Sequence, residues 1–307
     1  MKNLEIQNIA TLTGHKGGVY ALEQAAEDHC FYSADGAGWV AKWNLKNTDT
    51  AHLIAKVPSN IFALCLVKDQ DLLAVGSLQG ILYFIDLQKN EVLTPPLQFP
   101  KTIYALQQWK HYLLIGTGDG KLSIFNLQNQ KIERTLPIAA KSIRQIKIHP
   151  HENIAAIASS DHCIYLLDLE KISVSSELHY HKNSVFCLQF LQNGNQLFAG
   201  SRDAHLSVWE KINENYSLQH TIPAHLFTIN DIAVSPNQRW IASASRDKSI
   251  KIWDVQSLKL LKVIDRMKPN LDAHQHSVNT LLWSPFNDYL LSGSDDKSIK
   301  IWQVSEE

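Results

Sequence analysis

The sequence predicts an all-β chain folded as a single ring of seven four-stranded antiparallel blades, a β-propeller. Three observations predict it. A histidine, an aspartate and a tryptophan recur at fixed spacing, three aliphatic columns run through seven successive units, and turn signals cut each unit into short strands.

The landmarks come first. The phrase "SASRDKSIKIWD" at 243–254 returns as "SGSDDKSIKIWQ" at 292–303. His15, His181, His225 and His274 each stand 28 residues before a tryptophan: Trp43, Trp209, Trp253 and Trp302. Asp203, Asp247 and Asp296 each follow their histidine by 22 residues. Between Trp43 and His181 the same frame fits three more units. Ile85, Phe125 and Leu167 then hold the tryptophan position, and Val57, Phe99 and Ala139 the histidine position. Ala37 and Gln79 stand where units one and two should carry the turn aspartate.

Positions not used to build the frame test it. Four residues after the histidine position stand Val19, Ile61, Ile103, Ile143, Val185, Ile229 and Val278. Three further on stand Leu22, Leu64, Leu106, Ile146, Leu188, Ile232 and Leu281. Three before the tryptophan position stand Val40, Leu82, Leu122, Ile164, Leu206, Ile250 and Ile299. The third unit fits only with a two-residue deletion near Trp109.

The strands follow from turn signals, as "TINDIAVSPNQRWIASASRDKSIKIWDV" illustrates. One strand ends at Ser235-Pro236, a second covers Trp240 to Ala244, and a tight turn at Arg246-Asp247-Lys248 leads into a third. "LKLLKVI" at 258–264 reads as the fourth. One domain over 1–307 results, with blades at approximately 15–57, 58–98, 99–138, 139–180, 181–224, 225–273 and 274–304 plus 4–12. The last unit ends near Val304 after three strands, while "LEIQNIATL" at 4–12 is a spare strand. The two are expected to pair and close the ring, which removes open sheet edges. Trp253 and His274 are 21 residues apart, against 16 from Trp209 to His225. The excess, "DRMKPNLD" at 265–272, is expected to be an exposed loop, since a buried one would strand backbone polar groups.

Composition narrows the function. Hydrophobic residues make up 45% and charged residues 19%, enough for a sizeable core. The formal net charge of −1, from 29 basic and 30 acidic residues, argues against nucleic-acid binding by bulk charge. Cys30, Cys65, Cys163 and Cys187 are far apart in strand-like stretches, which reads as a reducing, cytoplasmic setting without disulfides. The N-terminus alternates apolar and polar residues without a signal-peptide core. The most apolar stretch, "LLAVGSLQGILYFIDL", is too short and broken to span a bilayer. "GTGDGK" at 116–121 leads into a strand rather than a helix, so it reads as a β-turn and not a phosphate loop. "HYH" at 179–181 and "HQH" at 274–276 offer no third ligand, and neither metal nor cofactor is expected.

The Gly-His at 14–15, the Trp-Asp at 253–254 and the "SASRD" and "SGSDD" turns resemble the WD-repeat family of β-propellers, and the resemblance covers essentially the whole chain. It implies a hydrogen-bonded set in each complete unit, here His225, Asp247, Ser243 and Trp253, with His274, Asp296, Ser292 and Trp302 in the last unit and His181, Asp203 and Trp209 in the fifth. The chemistry suits burial: an indole N–H needs an acceptor, a carboxylate needs donors, and an imidazole bridges them. The pair resembles part of a catalytic triad, but no nucleophile recurs beside it.

The resemblance also implies a partner-binding face around the channel mouth. Its columns put Tyr20, Phe62, Tyr104, Arg144, Phe186, Asn230 and Asn279 five residues after the histidine position, with Ser160, Arg202, Arg246 and Asp295 before the turn aspartates. Four aromatics and one arginine among seven suit an interface. The expected function is a non-enzymatic scaffold for a protein or peptide partner, monomeric itself and working within a complex without a membrane. Two alternatives stay open at this point: a propeller enzyme or small-ligand sensor at the channel mouth, and an RNA- or ribosome-associated adaptor using Arg144, Arg202 and Arg246.

Overall fold

The computed structural model describes residues 4–267 and 271–306. Within them the chain forms seven antiparallel sheets. One edge strand of each sheet faces the axis: Val19–Gln24, Ile61–Val67, Ile103–Trp109, Ile143–Ile148, Val185–Phe190, Ile229–Val234 and Val278–Trp283. These strands contact one another in order, and the seventh contacts the first, so the sheets form a closed ring.

The core is divided between the blades. Seven buried clusters each combine side chains from two neighbouring blades. The aliphatic columns supply them. Val19, Ile61, Ile103, Ile143, Val185, Ile229 and Val278 are all fully buried, and so is nearly every member of the column three before the tryptophan position. Ile85, Phe125 and Leu167 fill the tryptophan position in blades 2 to 4 with apolar bulk.

Three local departures have physical causes. In blade 3 the first two strands meet in a tight hairpin, with Trp109 paired to Tyr112, which accounts for the two-residue deletion. In blade 2 the fourth strand is split into Glu91–Val92 and Leu97–Gln98, not continuous as expected. Pro95 and Pro96 lie in the gap, where prolines lack the N–H a ladder needs. The glycine of "GTGDGK" that matters is Gly120 (φ +78°), since a Cβ there would sit 2.0 Å from the Ala139 carbonyl oxygen. Gly38 and Gly80 hold the same place in blades 1 and 2.

Blade 7 joins the two ends of the ring. Leu4–Leu12 pairs antiparallel with Ile299–Glu306, from Leu4 opposite Glu306 to Leu12 opposite Ile299. Leu4 and Leu12 are buried, and Thr11 and Lys300 both bind Asp272. Of the loop expected at 265–272, residues 268–270 lie outside the described residues, while Arg266 and Met267 are exposed.

Deleting residues 1–12 leaves the strand Ile299–Glu306 as an open edge and uncovers Trp302 and Ile301. The truncated chain is expected to melt at lower temperature and to aggregate. Thermal unfolding with light scattering checks this, and a truncated chain that melts like the full one contradicts the closure.

Candidate functional site

Four blades carry a polar staple beneath the face on which the strand turns and the channel mouth converge. In blade 6, His225 Nδ1 lies 2.9 Å from Asp247, His225 Nε2 lies 2.8 Å from Ser243 Oγ, and the Trp253 indole donates to the same oxygen at 2.9 Å. Blade 7 repeats this with His274, Asp296, Ser292 and Trp302 at 2.8–2.9 Å. Burial alone would raise Asp247, Asp296 and Asp203, but their histidines and backbone N–H groups hold all three far below the usual carboxylate range.

Blades 1 and 5 make the same set from differently placed residues. The sequence frame left blade 1 without a turn carboxylate at Ala37. Asp35, two residues earlier and fully buried, supplies it: its oxygens accept from the N–H groups of Lys16, Gly17, Ala37 and Trp39. His15 Nδ1 is 3.1 Å from Asp35, within ion-pair reach although out of hydrogen-bond alignment. In blade 5 the strand serine is replaced by Ala199. Ser207, from the next strand, takes both His181 and the Trp209 indole at 2.9 Å. In blade 4, where Ala139 holds the histidine position, Asp161 instead accepts from the Tyr165 hydroxyl at 2.8 Å.

The channel mouth is built by a backbone device. In every blade the ladder between the first and second strands shifts register at one place, and the residue skipped is Tyr20, Phe62, Tyr104, Arg144, Phe186, Asn230 or Asn279. A β-bulge re-aims the side chain it carries. Seven bulges at one level turn these side chains toward the axis, where they line a cavity of about 490 Å³.

Five of them form a continuous arc. Ring centroids of Tyr20 and Phe62 are 5.2 Å apart, and those of Phe62 and Tyr104 are 5.6 Å apart. The Arg144 guanidinium then lies 4.3 Å from the Tyr104 ring and 4.2 Å from the Phe186 ring. Among the described residues no carboxylate pairs with Arg144. Burial lowers its pKa, opposed by the Tyr104 hydroxyl, yet a guanidinium stays charged at neutral pH.

The other side of the mouth is tied up. Asn230 donates to Ser277 and to the Val278 carbonyl, and Asn279 donates to the Val19 carbonyl and to Asp295. Asp295 also faces Tyr20, whose pKa is raised by burial first and by this carboxylate second. Asn230, Asn279 and Asp295 thus bridge blades 6, 7 and 1. Thr102, Ser142 and Ser184 likewise donate to the turns of the preceding blades, Ser184 to the Ser160 carbonyl. Arg202 and Arg246 are exposed on turns of the same face.

Beyond Asp35 and Ser207, three further sets of residues went unread in the sequence. Leu226 and Phe227 follow His225 and are exposed, a departure from the polar loops around them. Glu23 and Asp231 lie deeper in the channel. Glu23 accepts from the Leu66 N–H, and Asp231 from the Ile232 and Leu281 N–H groups. Burial pushes the Glu23 carboxyl up to about 7 and raises Asp231, against the pull of these N–H groups and of Lys147. Lastly, Cys163, Glu177 and His179 offer ligand atoms within 4.8 Å of one another. Burial, followed by the charges of Glu177 and Asp161, pushes the Cys163 thiol up to about 12, so it stands as a neutral thiol. All four cysteines are buried and free, and among the described residues no helix is long and apolar enough to cross a membrane.

The family model "WD domain, G-beta repeat" matches residues 173–210, 216–254 and 266–303. Human striatin is 23% identical over 279 residues, covering 82% of this chain and 36% of striatin. The nuclear distribution protein nudF of Aspergillus niger is 29% identical over 151 residues, 48% of this chain and 34% of nudF. The histone acetyltransferase type B subunit 2 of Candida glabrata is 28% identical over 151 residues, 47% of this chain and 36% of that protein. The chain therefore spans about a third of the length of these relatives.

Two predictions follow from this chemistry. Ser207→Ala leaves His181 and the Trp209 indole without their shared oxygen and should cost about 1–3 kcal/mol in denaturant unfolding. Adding Ala199→Ser, which restores a hydroxyl where blades 1, 6 and 7 carry it, should recover much of that loss. No recovery would mean the hydroxyl position is not interchangeable. The second concerns Glu23. Between its ordinary 4.5 and about 7, the folded chain holds a proton that the unfolded chain has lost, so stability falls as pH rises through that window. Glu23→Gln keeps an acceptor for the Leu66 N–H and cannot ionise. Its melting temperature relative to the parent should climb from pH 5 to pH 8; a constant difference would show that Glu23 is ordinary.

Proposed function

We propose that this chain, a seven-bladed propeller whose last three blades match the WD-repeat family model, is a non-enzymatic WD-repeat scaffold that binds a protein or peptide partner at the channel mouth. The observation that carries this reading is the arc Tyr20–Phe62–Tyr104–Arg144–Phe186. It presents apolar rings beside a guanidinium that pairs with no carboxylate among the described residues. Rings and arginine are the side chains that anchor interfaces. An arginine held between two rings keeps its N–H groups oriented and lacks only an anionic partner, so the arc suits an extended peptide with an apolar anchor and a neighbouring carboxylate.

The enzyme reading has less support. The acids at the mouth and in the channel, Asp295, Asp231 and Glu23, are each engaged by N–H donors or by Tyr20, and the thiols nearest Glu23 and Asp231, those of Cys65 and Cys187, are buried and pushed up by that burial, so they stand protonated. The staple histidines are buried under the turns, bonded to serine and aspartate. An RNA adaptor is less favoured on the near-neutral charge of the chain. One relative is by its name a subunit, which fits work within an assembly. Four unpaired cysteines fit a cytoplasmic setting.

The test is a partner captured by pull-down, with and without nuclease, then titrated against variants. Phe186→Ala and Arg144→Glu should each weaken binding by about 1–2 kcal/mol or more without lowering the melting temperature much. If both bind like the parent while a substitution on the opposite face does not, the functional surface lies elsewhere.

A further inference from the structure

The face that carries the channel mouth also carries an apolar patch away from the axis. Leu226 and Phe227 are 83% and 58% exposed. Single exposed apolar side chains are ordinary, but two large neighbours at a loop tip form a patch. The equivalent pairs in the flanking blades are Lys182-Asn183 and Gln275-His276, so this departure belongs to blade 6.

The loop that presents them is fixed on both sides. The Leu226 N–H donates to Asp247, the Phe227 carbonyl accepts from Ser245 Oγ, and the Thr228 carbonyl accepts from the Arg246 N–H. These bonds tie the loop to the turn bearing Arg246. On the other side, the His225 N–H donates to the Ala204 carbonyl, in the turn of blade 5 that bears Arg202. The apolar pair thus stands on a rigid support between two exposed arginines.

Charge completes the argument. Each arginine has an aspartate next to it in sequence, yet Asp203 and Asp247 turn inward onto His181, His225 and backbone N–H groups. Among the described residues no carboxylate pairs with Arg202 or Arg246. The exposed cations Lys182 and Lys248 add to the same side of the face. The patch is apolar at its centre and positive at its flanks.

We propose that Leu226 and Phe227 are the apolar anchor of a docking patch on blades 5 and 6, flanked by Arg202 and Arg246, whose occupant is an extended acidic segment of a partner protein bearing a large apolar side chain. The proposal rests on the reading that this face binds a partner, and adds an anchor off the axis. The occupant's apolar side chain removes the Leu226 and Phe227 surfaces from water. Its carboxylates take the guanidinium N–H groups, which are suited to bidentate pairing.

The probe is a set of random-sequence peptides displayed on phage and selected on the immobilised full chain. Enriched peptides, labelled with fluorescein, are titrated by anisotropy. Acidic residues beside Phe, Leu or Trp are expected, with binding weakened at least about tenfold by Phe227→Ser. Arg202→Glu and Arg246→Glu should weaken binding several-fold and flatten its dependence on salt. These positions are exposed, so unchanged melting temperatures verify the fold of each variant. If Arg144→Glu and Phe186→Ala abolish binding while Phe227→Ser binds like the parent, the off-axis anchor is overturned and the channel-mouth reading stands. If neither pair matters, both fall. Peptides that lack acidic residues, or a selection yielding none dependent on Phe227, also overturn the proposal.

Discussion

A four-stranded sheet that is apolar on both faces is not stable alone, and in this chain each face is covered only by the next blade. That dependence runs around the ring. Ile143 of blade 4 packs with blade 3 residues such as Leu114, and Val185 of blade 5 packs with Ala156 and Ile164 of blade 4. The last cluster puts Leu12, Ile299 and Ile301 against Val19, Phe31 and Trp43. Every cluster is a wedge between two sheets, so none is complete until its neighbour is in place. The bulges belong to the same constraint. They bend the innermost strands where seven sheets crowd toward one axis, and in bending they deliver seven side chains to a common mouth.

Within those wedges the buried polar groups obey a looser rule. What a buried indole or imidazole requires is an oxygen at a point in space, not a residue at a position in the chain. Ser33, Ser243 and Ser292 reach that point from the second strand, whereas Ser207 reaches it from the third. Asp35 reaches the histidine from the end of a strand, whereas Asp247 does so from the following turn. Blades 2 to 4 drop the histidine and fill its place with Val57, Phe99 and Ala139, which need no partner. The lesson for Asp119 and Asp161 is the same: deprived of an imidazole, they bind Thr117 and Tyr165 instead.

This difference explains what the sequence could and could not reveal. The aliphatic columns were readable because burial between two blades demands the same side-chain type at the same radius, and strand pairing fixes that radius to a sequence position. Ring closure was readable because the last unit lacks a strand and the first has one to spare. Asp35 and Ser207 were not readable, since equivalence in space was reached from a different index. Glu23 and Asp231 were not readable either, because nothing local reports that their strands border a narrow channel. Leu226 and Phe227 sit where a loop residue has no periodic pattern to violate. The columns put Arg144 and Phe186 at the channel mouth, where both side chains lie, but whether a residue there is free or tied depends on what the adjacent blade offers. Asn230 and Asn279 meet backbone carbonyls, and Arg144 meets two rings.

The composite blade has a consequence for how the chain acquires this shape. Leu4 must find Glu306, and Leu12 must find Ile299, across almost the whole sequence, so the final pairing closes the longest loop in the molecule. Contacts of such separation form late and slowly, because the chain entropy they remove is large and is offset only once the intervening sheets have assembled. During synthesis the strand Leu4–Leu12 therefore waits, its backbone groups unpaired, until the residues near 300 emerge. An alternating strand held open in that interval is a natural target for holding chaperones, and for mistaken pairing between two nascent chains.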